Sequence, residues 1–290
     1  MKRFAFILAS LVCGCITSKP GGPVGYFGPT QSLREVVSAI NANNAHLATL
    51  WSRGDFEATV VDQGKSHFVN GEAFMLYRRP GDFLMVGKKD LAGQVFQVGC
   101  NAQQYWMIVR GDTDTMWWGA TAQAGEVDPK VMPIQPMLLL EVLGIGEIDT
   151  DLTREPCPVM RFNNDADAYM LVWNMRAPDR WLAQKEVWYD RQTMLPKLVL
   201  LFDANGRVVL RAYLSGHKAV EAAGATAGQP PRVATIYQLY FPDNGTRMTI
   251  ELKDVASRKA EAPSDASFKF PGEKAGVSRV VHVDERSGQP

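Results

Sequence analysis

Leu198-Val199-Leu200-Leu201-Phe202 followed by Asp203-Ala204-Asn205-Gly206 is the stretch that decides the fold. The run is short and apolar, and it stops at Asn-Gly, the strongest local signal for a hairpin turn because both residues tolerate positive φ. The five residues therefore read as a strand that is apolar on both faces. One face can bury against helices, whereas the other needs a second layer or a ligand. Working outward, strands are expected over 182–190 and 195–203 before the turn and over 207–216 after it. Further strands read over 158–163, 169–175, 234–241 and 246–255, the last two joined by Pro242-Asp243-Asn244-Gly245. Upstream, Phe56, Ala58 and Val60 alternate with polar neighbours, and a turn follows near 62–65. A strand then runs over 71–79 to Pro80-Gly81, with others over 83–86, 94–98, 105–109 and 115–118. Nothing alternates with crossover helices, which disfavours a Rossmann-like or barrel α/β fold and points to a long antiparallel meander. A sheet of ten or more strands must curl.

Two helices interrupt the strands. Thr30 or Ser32 can cap the first, with Glu35 completing a capping box behind Ser32. Leu33, Val36, Val37, Ile40, Leu47 and Leu50 recur at helical spacing through Trp51. Asn41-Ala42-Asn43-Asn44 is poor helix material, so packing must hold it. The second helix follows Asp128-Pro129, Pro133 and Pro136 and reads Met137-Leu138-Leu139-Leu140-Glu141-Val142-Leu143, ending at Gly144-Ile145-Gly146. So apolar a helix cannot sit on the surface. The segment over 220–231 is low in complexity, and the tail after Arg258 offers one strand over 280–283 and a polar end expected to fray.

The chain has 290 residues, 46% of them apolar, which suffices for one large domain or two small ones. Thirty-one basic residues balance 31 acidic ones, so nothing points to a nucleic-acid surface. Four cysteines are too few for a disulfide scaffold, and no run of about 20 apolar residues spans a bilayer. The first residues carry a different signal. Lys2 and Arg3 precede an apolar stretch over 4–12 and then Cys13-Gly14-Cys15, which looks like a bacterial lipobox. Gly14 is the small residue before the cut and Cys15 the thiol that takes the lipid; Val12 before Cys13 is not small. Three acyl chains, at about 0.8 kcal/mol per buried methylene, would anchor the protein without a basic patch. Ile16 rather than Asp after the cysteine matches the sorting pattern for the outer membrane, the protein facing the periplasm. The expected organisation is a signal peptide over 1–14, anchor and Gly/Pro-rich tether over 15–29, a domain over 30–256 and a tail over 257–290. Cys100 and Cys157 remain; in an oxidising compartment they either pair or stay as two separate buried thiols.

Several segments taken together resemble the lipoprotein-localisation (LolA/LolB-like) family. They are the helix over 32–51, the strand ending Tyr77-Arg78-Arg79-Pro80, the hairpin from Val98-Gly99-Cys100 to Tyr105-Trp106, and Glu186-Val187-Trp188-Tyr189-Asp190 leading through Pro196 to the turn at 203–206. The similarity covers roughly 30–255. It implies a mainly β (α+β) fold: a single curved antiparallel sheet forming a half-barrel, its concave face covered by the N-terminal helix and the short apolar lid helix and open to acyl chains. The family's outer-membrane acceptor has an anchor, as this chain does, and also a protruding apolar loop. The loop over 220–231 has almost no large apolar residue.

Catalytic signals are weak. His46, His67, His217 and His282 have no partner at metal spacing, no nucleophile elbow is present, and Gly144-Ile145-Gly146 lacks the glycine pattern of a dinucleotide site. Asp165 and Asp167 read as an ordinary turn rather than a cation site. No cofactor and no enzyme activity are expected. The candidate cavity residues are Phe74, Leu76, Phe83, Met85, Trp106 and Trp117 on strands, closed by Met137, Leu138, Leu140 and Leu143; Phe96, Trp118 and Leu139 are related candidates. The same residues could equally form a filled core. Trp117 and Trp118 must face opposite sides of their strand. Arg78 and Arg79 read as a headgroup contact or a plain surface pair. The leading expectation is a lipid-anchored periplasmic protein holding an acyl chain or the lipid moiety of a lipoprotein. The alternative is a non-enzymatic envelope sensing or scaffold module with a protein partner on the convex face and a filled interior.

Overall fold

The computed structural model describes residues 28–284 apart from 63–64, 90–92, 112–113, 127–131, 133, 223–224, 226–229 and 258–262. The signal peptide, Cys15 and most of the tether lie outside the described residues.

Period-2 alternation along the chain produces two arms of strands. The first arm is β1 (Thr49–Asp62), β2 (Lys65–Arg78), β3 (Asp82–Lys89), β4 (Gly93–Cys100), β5 (Gln104–Val109) and β6 (Thr115–Ala120). The second is β7 (Cys157–Asn163), β8 (Ala168–Arg176), β9 (Trp181–Asp190), β10 (Pro196–Phe202), β11 (Val208–Ser215), β14 (Ile236–Phe241) and β15 (Thr246–Ala256). A two-stranded ribbon of β12 (Lys218–Ala219) and β13 (Arg232–Val233) lies between β11 and β14 in the chain. With β16 (Arg279–His282), the arms form one open 14-stranded sheet in the order β16-β6-β5-β4-β3-β2-β1-β15-β14-β11-β10-β9-β8-β7.

This order corrects the expectation of one antiparallel meander on two points. The arms are joined by β1 and β15, with Trp51 opposite Ala256, so the chain returns to its own first strand after building the far arm. The sheet is also mixed, because β16 pairs parallel to β6. Gly54 marks the seam between the arms: the β1–β15 register shifts between Arg53 and Gly54, and a Cβ on Gly54 would lie 1.8 Å from the Glu251 carbonyl oxygen. Only glycine permits that approach, and the bulge bends the sheet where the arms meet.

Two α-helices are found among the described residues. In α1 (Leu33–Asn44), Ser32 and Glu35 form the expected capping box, the Ser32 N–H donating to Glu35 Oε2 at 2.7 Å. The helix stops before Leu47 and Leu50, which are buried in the turn and in β1; the asparagines end it earlier than the apolar spacing alone suggests. α2 (Pro136–Val142) lies on the segment that carries the chain from β6, near one edge of the sheet, to β7 at the other. Val36, Val37 and Ile40 of α1 and Leu139 and Val142 of α2 share one apolar cluster with Phe56, Met75, Phe83, Met107, Val199 and Ile250 of the sheet. Both helices therefore cover the same face.

The opposite face carries a second, smaller core. Trp106 and Ile108 of β5 and Met116 of β6 pack there with Ala275, Phe270 and Trp118, while Tyr105 and Met107 join the main core. Trp117 packs on the covered face and Trp118 on the other, as strand alternation demands. The tail packs on this face over 263–284, with β16 close to the strand expected over 280–283; the polar end beyond it, 285–290, lies outside the described residues. The Arg110 guanidinium donates to the carbonyls of Gly276 and Ala275, Asp284 accepts from the Ala120 N–H at 2.7 Å, and Trp118 stacks on His282 at 4.1 Å. No helix among the described residues is long and apolar enough to cross a membrane.

Candidate functional site: an apolar space beneath a lid

Pro136 opens α2 at its first turn, and Gln135 provides no side-chain cap. Its one charged residue, Glu141, faces outward to Lys185 at 2.6 Å. Leu139 and Val142, with Leu143 just beyond the helix, turn toward the sheet. Gly144 stops the helix at φ +66°, where a side chain would be strained and would meet Pro196.

The lid's exit is held by the residues that looked like poor helix material. Asn44, 3% exposed, donates from Nδ2 to the carbonyls of Gly144 (3.3 Å) and Gly146 (2.8 Å). Asn41 exchanges two 2.8 Å hydrogen bonds with the backbone of Ile148. Arg79 pairs with Glu147 and donates to the Asn44 carbonyl at 2.7 Å. Asn43 exchanges two more bonds with the Arg232 backbone. These side chains trade helix propensity for ties between α1, the lid exit and β13. Neither arginine of the Arg78-Arg79 pair is a plain surface residue: Arg78 binds Asp82 (2.6 Å) and Asp265 (2.7 Å) and lies over the Phe268 ring.

Beneath the lid is a space of about 10 Å³. It is bounded by Met75, Phe83 and Met85 of the first arm and by Tyr237, Leu239, Ile250 and Leu252 of the second, with Leu139, Val142 and Leu143 above. It sits over the seam and holds about one water-sized sphere. Of the cavity candidates, Phe83, Met85 and Leu143 line it, and Met137, Leu138, Leu140 and Trp117 are half-buried against the same core. Phe74, Leu76 and Trp106 do not belong to it. They occupy the other phase of β2 and β5, with Phe74 edge-on to Trp51 at 6.1 Å and the Trp106 ring lying over Gly99. Met75, Val142, Tyr237, Leu239, Ile250 and Leu252 are lining residues that inspection of the sequence missed. Phe96 packs on the covered side against Phe56 at 4.9 Å.

Cys100 and Cys157 are both free. They sit on β4 and β7, near one end of the sheet and at the other, so pairing them is not compatible with this topology. The Cys100 thiol donates to the Gly81 carbonyl, and burial pushes its pKa up to about 12. Intact mass without reduction is therefore expected to show no two-dalton deficit, and Cys100 to resist iodoacetamide at pH 8 until denaturant is added. Labelling of Cys100 in the native protein as fast as in denaturant would contradict this.

Asp167 pairs with Arg191 at 2.6 Å in its turn, and no three His, Cys, Asp or Glu side chains cluster as a metal site among the described residues. Burial lowers the pKa of His217, whose Nε2 has no partner among the described residues.

No protein-family model matches the chain, and no curated protein matches it. Solved structures do. An outer-membrane lipoprotein-sorting protein domain from Vibrio parahaemolyticus is 11% identical, with 81% of this chain and 95% of that one covered and a TM-score of 0.49. A LolA superfamily protein from Nitrosomonas europaea is 10% identical over 80% and 96%, with a TM-score of 0.47. A DUF1329 family protein from Desulfovibrio piger is 13% identical over 83% and 98%, with a TM-score of 0.46.

Proposed function

We propose that the protein is a non-enzymatic, lipid-anchored envelope protein whose sheet acts as a half-barrel, its concave face taking up an acyl chain or the lipid moiety of a lipoprotein when α2 moves aside. The observation that carries this reading is the lining beneath the lid: apolar side chains from both arms converge there under a seven-residue helix with no side-chain cap. At about 10 Å³ the closed space is far too small for a chain, so uptake requires displacement of Leu139, Val142 and Leu143. Methylenes of the ligand would replace those side chains at similar apolar burial, about 25 cal/mol per Å², so the exchange need not be costly. Opening would break the Asn44, Arg79 and Lys185 ties and no main-core strand pairing. Attachment through Cys15, at the outer membrane facing the periplasm, would place the domain beside its lipids.

Two measurements test this. Cys15→Ala is expected to move the protein from membrane to soluble fractions; continued membrane association would rule out the lipid anchor. The released protein is then expected to bind a fluorescent fatty acid, and lipid extraction to recover acyl chains. The small size of the void favours a second reading, a module with a filled interior that binds an envelope protein partner. Absence of both lipid and fatty-acid binding, together with capture of one stable partner, would establish that alternative.

A further inference from the structure

We propose that the Tyr237 hydroxyl is the fixed polar contact of the space under the lid, so that the site selects acyl chains bearing a hydrogen-bonding oxygen, such as an ester or carboxyl, over plain hydrocarbon. This rests on the acyl-binding reading and narrows its ligand class.

Tyr237 lies on β14 with its side chain on the covered face; it is 1% exposed and lines the space. Its Oη has no hydrogen-bond partner among the described residues. Buried tyrosine hydroxyls ordinarily find partners. Two others here do: the Tyr169 Oη accepts from the Gln31 N–H at 2.8 Å, and Tyr105 Oη lies within hydrogen-bonding distance of Asp284. The other side chains around the space are hydrocarbon or thioether, so none satisfies the hydroxyl. A water does not resolve this either. A site must offer it two to four polar partners, and this one offers a single hydroxyl. Phenylalanine would fill the position equally well and remove an orphaned polar atom, so the hydroxyl is a stability cost that a ligand oxygen would offset. Burial keeps the phenol neutral and hence a donor.

The test uses the full chain carrying Cys15→Ala, with methyl octanoate and decane as length-matched probes and calorimetry as the readout. The native Tyr237 protein is expected to prefer the ester about ten-fold, corresponding to about 1.4 kcal/mol. Tyr237→Phe is expected to reduce that preference to about two-fold, leave decane binding unchanged, and unfold at the same temperature or higher without ligand. Equal binding of the two probes by the Tyr237 protein would overturn the inference while leaving acyl binding intact, as would an undiminished preference in Tyr237→Phe. Failure of the Tyr237 protein to bind either probe would overturn both readings.

Discussion

A chain ending at Pro263 is expected to lose its sharp unfolding transition and to self-associate. The segment beyond covers the second core, in which Trp106 is fully buried and Phe270 packs edge-on to its ring at 5.7 Å. Removing it would bare Trp106, Ile108, Met116 and Trp118 together and strip β6 of its parallel neighbour. A contiguous apolar patch beside an unpaired strand is an invitation to aggregate. A milder version is Phe268→Ala. This side chain is 2% exposed beneath the Arg78 guanidinium, and its carbonyl accepts from Asn101 Nδ2 at 2.9 Å. The loss should be about 3–5 kcal/mol, read as a fall in Tm of roughly 10 °C. A truncated chain that stays monomeric with an unchanged Tm would mean that the tail is dispensable.

The second large effect is expected at the lid. Asn44→Leu keeps the branching at Cγ but leaves the Gly144 and Gly146 carbonyls without their donor. Stability should fall by about 2–4 kcal/mol, and hydrogen exchange should accelerate at the amides of Leu139, Val142 and Leu143 while the amides of β1 and β2 stay protected. Faster uptake of a fluorescent fatty acid should accompany it. Unchanged exchange at the lid would show that Asn44 braces only α1 and plays no part in closing the space.

The strands were legible because each turn has local chemistry. Gly206 and Gly245 do adopt positive φ, at +75° and +73°, and the flanking runs become the hairpins β10–β11 and β14–β15. The Pro-rich entry and glycine exit of α2 were readable for the same reason. What could not be read is whatever depends on partners distant in the chain. Phe74-Met75-Leu76-Tyr77 is apolar in both phases, so its pattern does not say which phase faces the helices; pairing across the sheet settles that Met75 and Tyr77 do. Asn41, Asn43 and Asn44 look like defects in a helix until the carbonyls they meet, 100 or more positions away, are in place. Phe268 and Phe270 stand isolated in the tail with no periodic pattern around them, and only the surface waiting on β3 to β6 gives them somewhere to go.

The pairing of β1 with β15 also has a consequence for how the molecule is made. β1 leaves the ribosome long before β15, which completes it, since Trp51 waits for Ala256. Each arm can assemble from neighbouring hairpins as it appears, but closing the seam brings together remote parts of the chain, and such long-range pairing is slow. Until then β1 presents a bare edge to its surroundings. Asp55 and Glu57, charged side chains on the uncovered face of β1, are suited to discourage wrong partners during that interval.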